Sequence, residues 1–197
     1  MPLLTRNLLI ANVVVFLLQM QMGNLLGSLF ALWPTASGLF MPWQLVTYAF
    51  LHGGLTHLAF NMFGLWMFGS ELERVWGARR MALFYAASVV TAGLAQLLVT
   101  GWSGSPSPTV GASGGLFGLL MGFAMLFPRR TITPLIPPIP MPAWLFVTLY
   151  GVIELTLGVT GTINGVAHFA HLGGLLGGWL VLRYWRGQPP FGGGRRH

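Results

Sequence analysis

The segment Val110–Phe127 reads Val-Gly-Ala-Ser-Gly-Gly-Leu-Phe-Gly-Leu-Leu-Met-Gly-Phe-Ala-Met-Leu-Phe and carries no charged residue. A helix needs about 20 apolar residues to cross roughly 30 Å of hydrocarbon, so this composition indicates a membrane-spanning helix. Comparable stretches recur along the chain. We predict six spans, at Leu8–Leu26, Leu55–Leu72, Met81–Thr100, Val110–Phe127, Ala143–Val159 and Ala167–Tyr184.

The composition of the whole chain agrees with a membrane protein. Charged residues make up 7% of 197 and apolar residues 54%, whereas soluble proteins carry about 25% charged residues. The net charge of +7 does not indicate nucleic-acid binding, because the arginines are scattered between apolar segments rather than gathered on one face. The absence of cysteine excludes disulfides, thiolate catalysis and Cys-based zinc sites.

The positions of the arginines predict the topology, because positive residues collect on the cytoplasmic side of a membrane. With six spans, all ten basic residues fall at the chain ends or in the second and fourth connections. Both termini are then cytoplasmic, and the loops Trp102–Thr109 and Thr160–Gly165 face outward. The minimal length favours a prokaryotic plasma membrane. The basic residues are Arg6, Arg74, Arg79, Arg80, Arg129, Arg130, Arg183, Arg186, Arg195 and Arg196.

Two regions depart from the pattern of spans. The first connection, Gly27–Gly54, is rich in apolar residues but is broken by Pro34 and Pro42, which indicates an interfacial or partly embedded segment. The last residues, 187–197, are rich in Gly and Pro and predict a disordered cytoplasmic tail. We therefore divide the chain into a membrane domain over 1–186 and a tail over 187–197.

Ser113 is the candidate nucleophile, since it lies at the predicted start of span four between small residues. Free backbone N–H groups and the positive end of the helix dipole there can stabilise an oxyanion. The alternative is helix packing, because Gly114, Gly118 and Gly122 repeat every four residues and let a neighbouring helix approach closely. The two roles are compatible, since close approach would bring a base towards Ser113.

His171 is the candidate base. His171, Gly174 and Gly178 share one face of span six, so the imidazole and a packing surface point the same way. His168 lies three residues earlier and is interpreted as an interfacial polar residue. Two histidines at this spacing without a third ligand form a weak zinc signal, and we predict neither a metal nor a cofactor.

His57 and Asn61 are four residues apart on span two and therefore share a helix face. They could simply bond another helix, but as neutral donors they also suit an oxyanion hole. The carboxylates add little, because Glu71 and Glu73 are expected to pair with basic neighbours at the cytoplasmic end. Glu154, in the outer half of span five, is not obviously placed to orient His171. A Ser–His dyad is the resulting prediction.

Together these residues closely resemble the rhomboid family of intramembrane serine proteases over nearly the whole chain. Gln44 stands where that family usually has Arg, which puts some contacts of the first loop in doubt. The matching order of motifs is Trp43 to Thr47 with His52 after it, His57-x-x-x-Asn61, Glu71, Gly77, Gly111-x-Ser113-Gly114 and Ala170-His171-x-x-Gly174-x-x-x-Gly178.

The resemblance implies an all-α bundle of six transmembrane helices with a membrane-embedded first loop, and cleavage of single-span membrane proteins near the outer face of the lipid bilayer. It implies that Ser113 is the nucleophile, His171 the base, and the Ser113 N–H, Asn61 and His57 the oxyanion site. Phe117 would pack on the imidazole. Span five, from Trp144 to Glu154, would be the mobile helix that admits substrate. The helix-packing glycines are Gly111, Gly114, Gly118, Gly174 and Gly178.

Two other classes compete with a protease. A catalytically silent binding protein or chaperone of the same fold would lack the nucleophile or the base, and both residues are present. A small transporter with a proton path through His57, Asn61, Glu154 and His171 would favour repeated halves and more midplane carboxylates, which the sequence lacks. The sequence leaves the oligomeric state open.

Overall fold

The computed structural model describes residues 1–135, 137–161 and 167–191. Nearly all regular structure in these ranges is helical, so the predicted all-α class is confirmed. The helices are α1 (Leu3–Met22), α2 (Asn24–Phe30), α3 (Gln44–Thr47), α4 (Leu55–Gly64), α5 (Ser70–Ser103), α6 (Ser113–Leu126), α7 (Ala143–Thr160) and α8 (His168–Trp185). Short 3₁₀ turns occupy Thr35–Ser37 and Tyr48–Phe50. A π-helix, Leu65–Gly69, joins α4 to α5. The two-residue strands β1 (Thr131–Ile132) and β2 (Met141–Pro142) pair antiparallel.

Three helical stretches within the described ranges are long and apolar enough to cross a membrane: Leu3–Met22, Leu55–Ser103 and Ala143–Thr160. The second contains 49 residues and covers predicted spans two and three. It is interrupted at Gly77, whose φ of 75° favours glycine because it has no Cβ. The six-span count stays a prediction.

Helix α6 is shorter than predicted, because residues 110–112 precede it in non-helical form. Gly111 has a φ of 127°, and its N–H donates to the Tyr48 carbonyl at 2.9 Å. The helix therefore begins at Ser113 itself. The fourth predicted span contracts to 14 residues, and Ser113 lies in its first turn.

The first connection is braced by hydrogen bonds. Gln44 is fully buried. Its Oε1 accepts from the Trp33 N–H at 3.2 Å, and its Nε2 donates to the carbonyls of Leu39 and Leu29 at 3.0 and 3.3 Å. Gln44, whose departure from the family pattern put some contacts of this loop in doubt, therefore makes bracing contacts of its own.

The carboxylates Glu71 and Glu73, in the first turn of α5, have different roles. Glu71 pairs with Arg74 at 2.7 Å and with Arg130 at 3.1 Å. Glu73 was expected to pair with a basic residue, and this is wrong. Its oxygens accept from the backbone N–H groups of Leu4 and Thr5 and from the Thr5 hydroxyl at 2.7–2.8 Å. Glu73 thus caps the N-terminus of α1, where free N–H groups and the helix dipole favour a carboxylate.

Helix α8 packs on α6 through glycines. A Cβ at Gly174 would overlap the carbonyl oxygen of Gly114, and one at Gly178 would lie 2.7 Å from that of Gly118. Helix α8 also packs on α5, where Gly173 and Gly177 contact Ala95 and Thr91. Two adjacent glycine rows therefore let α8 lie against two helices at backbone contact distance.

Candidate active site

The Ser113 hydroxyl lies beside the His171 ring. Oγ of Ser113 and Nε2 of His171 are 2.8 Å apart, which is hydrogen-bond distance. The His171 imidazole stacks on Phe117, with ring centroids 4.3 Å apart and planes 4° from parallel. Ser113 is half-buried and His171 is buried. The Ser113 hydroxyl is therefore still partly accessible, while the stack on Phe117 holds the imidazole in one orientation.

The glycine contact between α6 and α8 explains this proximity. The pair Gly114 and Gly174 brings the two backbones together close to Ser113 and one helical turn from His171. Any side chain at Gly174 would push the helices apart and lengthen the distance between Oγ and Nε2. The glycine contact between α6 and α8 therefore sets the position of Ser113 relative to His171, and we call these two residues the reactive pair.

His57 lies against the backbone just before Ser113. A Cβ at Gly111 would lie 2.7 Å from Cε1 of His57 and 3.7 Å from Oγ of Ser113. Nδ1 of His57 accepts from the Gly53 N–H at 3.4 Å, which assigns the ring proton to Nε2. Gly111 therefore provides the space for this imidazole beside the nucleophile.

Asn61 is buried on the same helix. Its Nδ2 finds no acceptor among residues 1–135, 137–161 and 167–191. A buried amide donor without a partner is costly and usually has a functional explanation. It can donate to an oxygen that becomes negative during a reaction.

Glu154 corrects the expectation that no carboxylate lies close to His171. Its Oε2 is 2.9 Å from Nδ1 of His171 and 2.7 Å from Nδ1 of His168. The second contact is a hydrogen bond. The first contact is close, but its angles lie outside hydrogen-bond geometry. Nδ1 of His171 therefore has no hydrogen-bond partner among the described residues. His168, interpreted from sequence as interfacial, is buried in this cluster.

Glu154, His168 and His171 also form a set of possible metal ligands, with donor atoms within 4.8 Å of one another. Donors around a tetrahedral Zn²⁺ ion at about 2.0 Å lie about 3.3 Å apart. The two shortest separations here, 2.7 and 2.9 Å, are those of imidazole N–H groups against a carboxylate. The arrangement fits a hydrogen-bonded carboxylate better than a metal centre.

His52 is buried next to this region, in the loop before α4. Its ring meets that of His57 edge-on at 5.2 Å between centroids. Burial, together with the neighbouring His57, lowers the pKa of His52 to about 4. The imidazole is therefore neutral at pH 7. It adds polarity near the site without adding charge.

Trp144 and Glu154, predicted together as a substrate gate, lie in different surroundings. Trp144 is in the first turn of α7 and 52% exposed, whereas Glu154 is 8% exposed. Ten helical residues separate them by about 15 Å. The structure brings Glu154 to the reactive pair and leaves Trp144 at the other end of the helix.

An apolar groove of about 280 Å³ runs beside the reactive pair. Residues from α4, the π-helix, α6, α7, β1 and the segment after β1 line it, among them Phe60, Met67, Leu116, Phe117, Phe146 and Tyr150. Phe117 belongs both to this groove and to the stack on His171. An apolar segment lying in the groove would therefore be next to the imidazole.

The contact between Glu154 and the two histidines was missed because no sequence spacing connects α7 to α8. The available signal was chemical, since a carboxylate in an apolar span requires a polar partner. A search for that partner among the polar residues of the neighbouring spans would have reached His168 and His171.

Comparisons with known proteins identify a family and several relatives. A family model described as a rhomboid domain matches residues 39–187. The chain is 32% identical over 141 residues to the rhomboid protease GluP of Bacillus subtilis, covering 71% of this chain and 25% of that protein. It is 33% identical over 147 residues to the mitochondrial rhomboid protein 1 of Saccharomyces cerevisiae, covering 68% and 40%.

A third relative matches more of the chain. The rhomboid protease GlpG of Yersinia pestis is 26% identical over 184 residues, which cover 92% of this chain and 62% of that protein. In all three alignments the chain spans less than two thirds of the relative's length. The family match covers well over half of the chain and agrees with the apolar helices, so this integral membrane protein belongs to the rhomboid family.

Proposed function

We propose that this protein is an intramembrane serine endopeptidase in which Ser113 and His171 perform the chemistry. One observation carries the proposal: Oγ of Ser113 lies 2.8 Å from Nε2 of His171, at the first turn of an apolar helix. A nucleophile within hydrogen-bond reach of a base is the expected arrangement for acyl transfer. Relatives named as rhomboid proteases support the same reading.

The proposed reaction has two acyl-transfer steps. Nε2 of His171 takes the Ser113 proton as Oγ bonds to the peptide carbonyl carbon. The imidazolium then returns that proton to the leaving amine as the C–N bond breaks, which leaves an acyl-serine. Water then attacks the ester carbon while His171 takes its proton, and the imidazolium returns that proton to Oγ as the ester C–O bond breaks, which releases the carboxylic acid and restores Ser113.

The oxyanion of each tetrahedral intermediate needs fixed donors. We assign this role to the Ser113 backbone N–H, Nδ2 of Asn61 and the ring N–H of His57. The unpartnered amide of Asn61 supports the assignment, because its hydrogen bond would form only when the oxygen becomes charged. A donor satisfied only in that state stabilises the transition state more than the ground state.

We propose transmembrane segments of single-span membrane proteins as substrates, entering from the bilayer through the groove between α4 and α7. The apolar lining of the groove suits an apolar helix. Helix α7 buries few side chains, which suits a helix that moves aside. Its buried residues are Ala143, Phe146, Val147 and Glu154. We propose that cleavage occurs near the outer face with both termini cytoplasmic, which the arginine distribution supports.

Labelling of the purified protein with a fluorophosphonate tests this function, because the probe bonds to an activated serine and releases fluoride. We expect stoichiometric labelling of the native protein and none in Ser113→Ala or His171→Ala. Ser103→Ala, at the end of α5, is the matched control and should label like the native protein. Persistent labelling of Ser113→Ala would remove this serine as the nucleophile.

A folded native protein that does not label would instead favour the silent binding protein. Circular dichroism and a single thermal unfolding transition would establish folding in that experiment. The two functional classes therefore give opposite labelling results with the same preparation.

A further inference from the structure

We infer that Glu154 is a positioning residue for His171, so that the catalytic unit is Ser113–His171–Glu154 rather than a dyad, with His168 holding the carboxylate. The inference rests on the proposed function of Ser113 and His171. It replaces the idea that packing alone orients the imidazole. Its basis is the pair of contacts that Oε2 of Glu154 makes with the two Nδ1 atoms.

The first step concerns the tautomer of His171. To accept the Ser113 proton, Nε2 must carry a lone pair, which leaves the ring proton on Nδ1. Among the described residues, Oε2 of Glu154, at 2.9 Å, is the only carboxylate oxygen paired with that Nδ1. Catalytic hydrogen bonds are often poorly aligned before substrate binds, and the separation of 2.9 Å is already within hydrogen-bond distance.

The second step concerns charge. When His171 takes the proton from Ser113 it becomes an imidazolium with Oε2 of Glu154 2.9 Å from its Nδ1. Water is scarce around three buried side chains, so the attraction between opposite charges is stronger than at a surface. The carboxylate would therefore stabilise the protonated base formed in the transition state, as the buried carboxylate of a Ser–His–Asp triad does.

The third step concerns how the carboxylate keeps its position. An isolated carboxylate in an apolar span is costly, and Glu154 is 8% exposed. The hydrogen bond from His168, at 2.7 Å, partly offsets that cost and directs Oε2 towards the space between the two imidazoles. We therefore assign His168 an effect on the reaction through Glu154.

This order of action predicts a non-additive pattern. The test measures the saturating rate and the half-saturating concentration of fluorophosphonate labelling in detergent. We expect Glu154→Gln to lower the saturating rate about 100-fold, with the half-saturating concentration changed less than about threefold. The substitution keeps the shape and removes the charge. The control Glu71→Gln, at the cytoplasmic ion pairs, should label at the native rate.

His168→Gln should lower the rate about tenfold, and the double variant should be no slower than Glu154→Gln alone, because the proposed effect of His168 on the reaction runs through the Glu154 carboxylate. Glu154→Asp, which keeps the charge on a shorter side chain, should label faster than Glu154→Gln. Labelling of Glu154→Gln at the native rate, or fully additive losses in the double variant, would overturn the inference.

Two further outcomes separate the alternatives. If Glu154→Gln does not fold, as judged by its thermal transition, then His168→Gln and Glu154→Asp decide the question by the same rates. A change in native labelling on addition of EDTA that is absent in Glu154→Gln would also overturn the inference, because it would indicate a metal ion between the three ligands. Failure of the proposed function itself gives a different result, namely labelling that persists in Ser113→Ala.

Discussion

Helix α8 meets its neighbours in two contrasting ways. Against α6 and α5 it presents glycines, and the contact is between backbones: a Cβ at Gly174 would overlap a carbonyl of α6, and one at Gly173 would lie 2.8 Å from a carbonyl of α5. Against residues 148–160 of α7 the contact is made by side chains: Glu154 is the one buried side chain there, and the Phe169 ring lies against Gly158.

The difference indicates what each interface can do. A contact between backbones has a fixed separation and cannot adapt, because no side chain is present to change rotamer. A contact made by side chains such as Glu154 and Phe169 can adjust, because side chains can change rotamer. The first interface therefore sets the distance between Ser113 and His171, and the second adjusts the environment of His171.

The largest effect is expected where the backbone contact is broken. Gly174→Ala places a methyl group on the Gly114 carbonyl, so α6 and α8 must separate. We expect labelling to fall below detection and the thermal transition to drop by about 10 °C or more. Gly101→Ala, a helical glycine with open space around it, is the matched control. Native labelling by Gly174→Ala would show that this interface is adaptable.

An intermediate effect is expected at the donor on α4, which belongs to neither interface. Asn61→Ala removes the unpartnered Nδ2 and should lower the labelling rate about 100-fold. The thermal transition should change little, because no hydrogen bond of that amide N–H group is lost. Thr56→Ala, exposed on the same helix, is the control. A rate loss that is matched by unfolding would assign Asn61 a structural role instead.

The smallest effect is expected on the apolar part of the α7 contact. A Cβ at Gly158 would lie 2.9 Å from the Phe169 ring, whereas one at Gly151 would lie 3.6 Å from Leu175. The Phe169 side chain can turn away, so Gly158→Ala should slow labelling only about two- to fivefold, and Gly151→Ala should not slow it. Loss of folding in Gly158→Ala would show that the contact between α7 and α8 is as rigid as the contact between α6 and α8.

Much of the fold could be predicted from local chemistry, because a membrane span leaves a strong compositional signal. Five of the six predicted spans lie largely on α1, α4, α5, α7 and α8. The boundary at α6 was wrong by three residues, since Gly111 adopts a positive φ and bonds to Tyr48. The contact with Tyr48 is long-range and has no signature in the local sequence. The predicted tail lies mostly outside the described residues.

The predicted site shows the same division. His57 and Asn61, and likewise His171 and Gly174, share helix faces, and the period of a helix is enough to indicate that. Glu73 and Glu154 were misjudged, because their partners are 68 and 14 or more residues away along the chain. The presence of a carboxylate in the sequence indicates only that a hydrogen-bond donor must lie near it. The packing of α1 and α8 determines which donor it finds.

The sequence by itself determined that the chain belongs in a membrane, which residue types could act as nucleophile and base, and which helix faces could approach closely. These properties are local, since they depend on composition and on the 3.6-residue period. The tertiary structure alone decided that Oγ of Ser113 lies 2.8 Å from Nε2 of His171 and that Glu154 lies behind the imidazole. Both are contacts between different helices, and their distances follow from how closely the helix backbones pack.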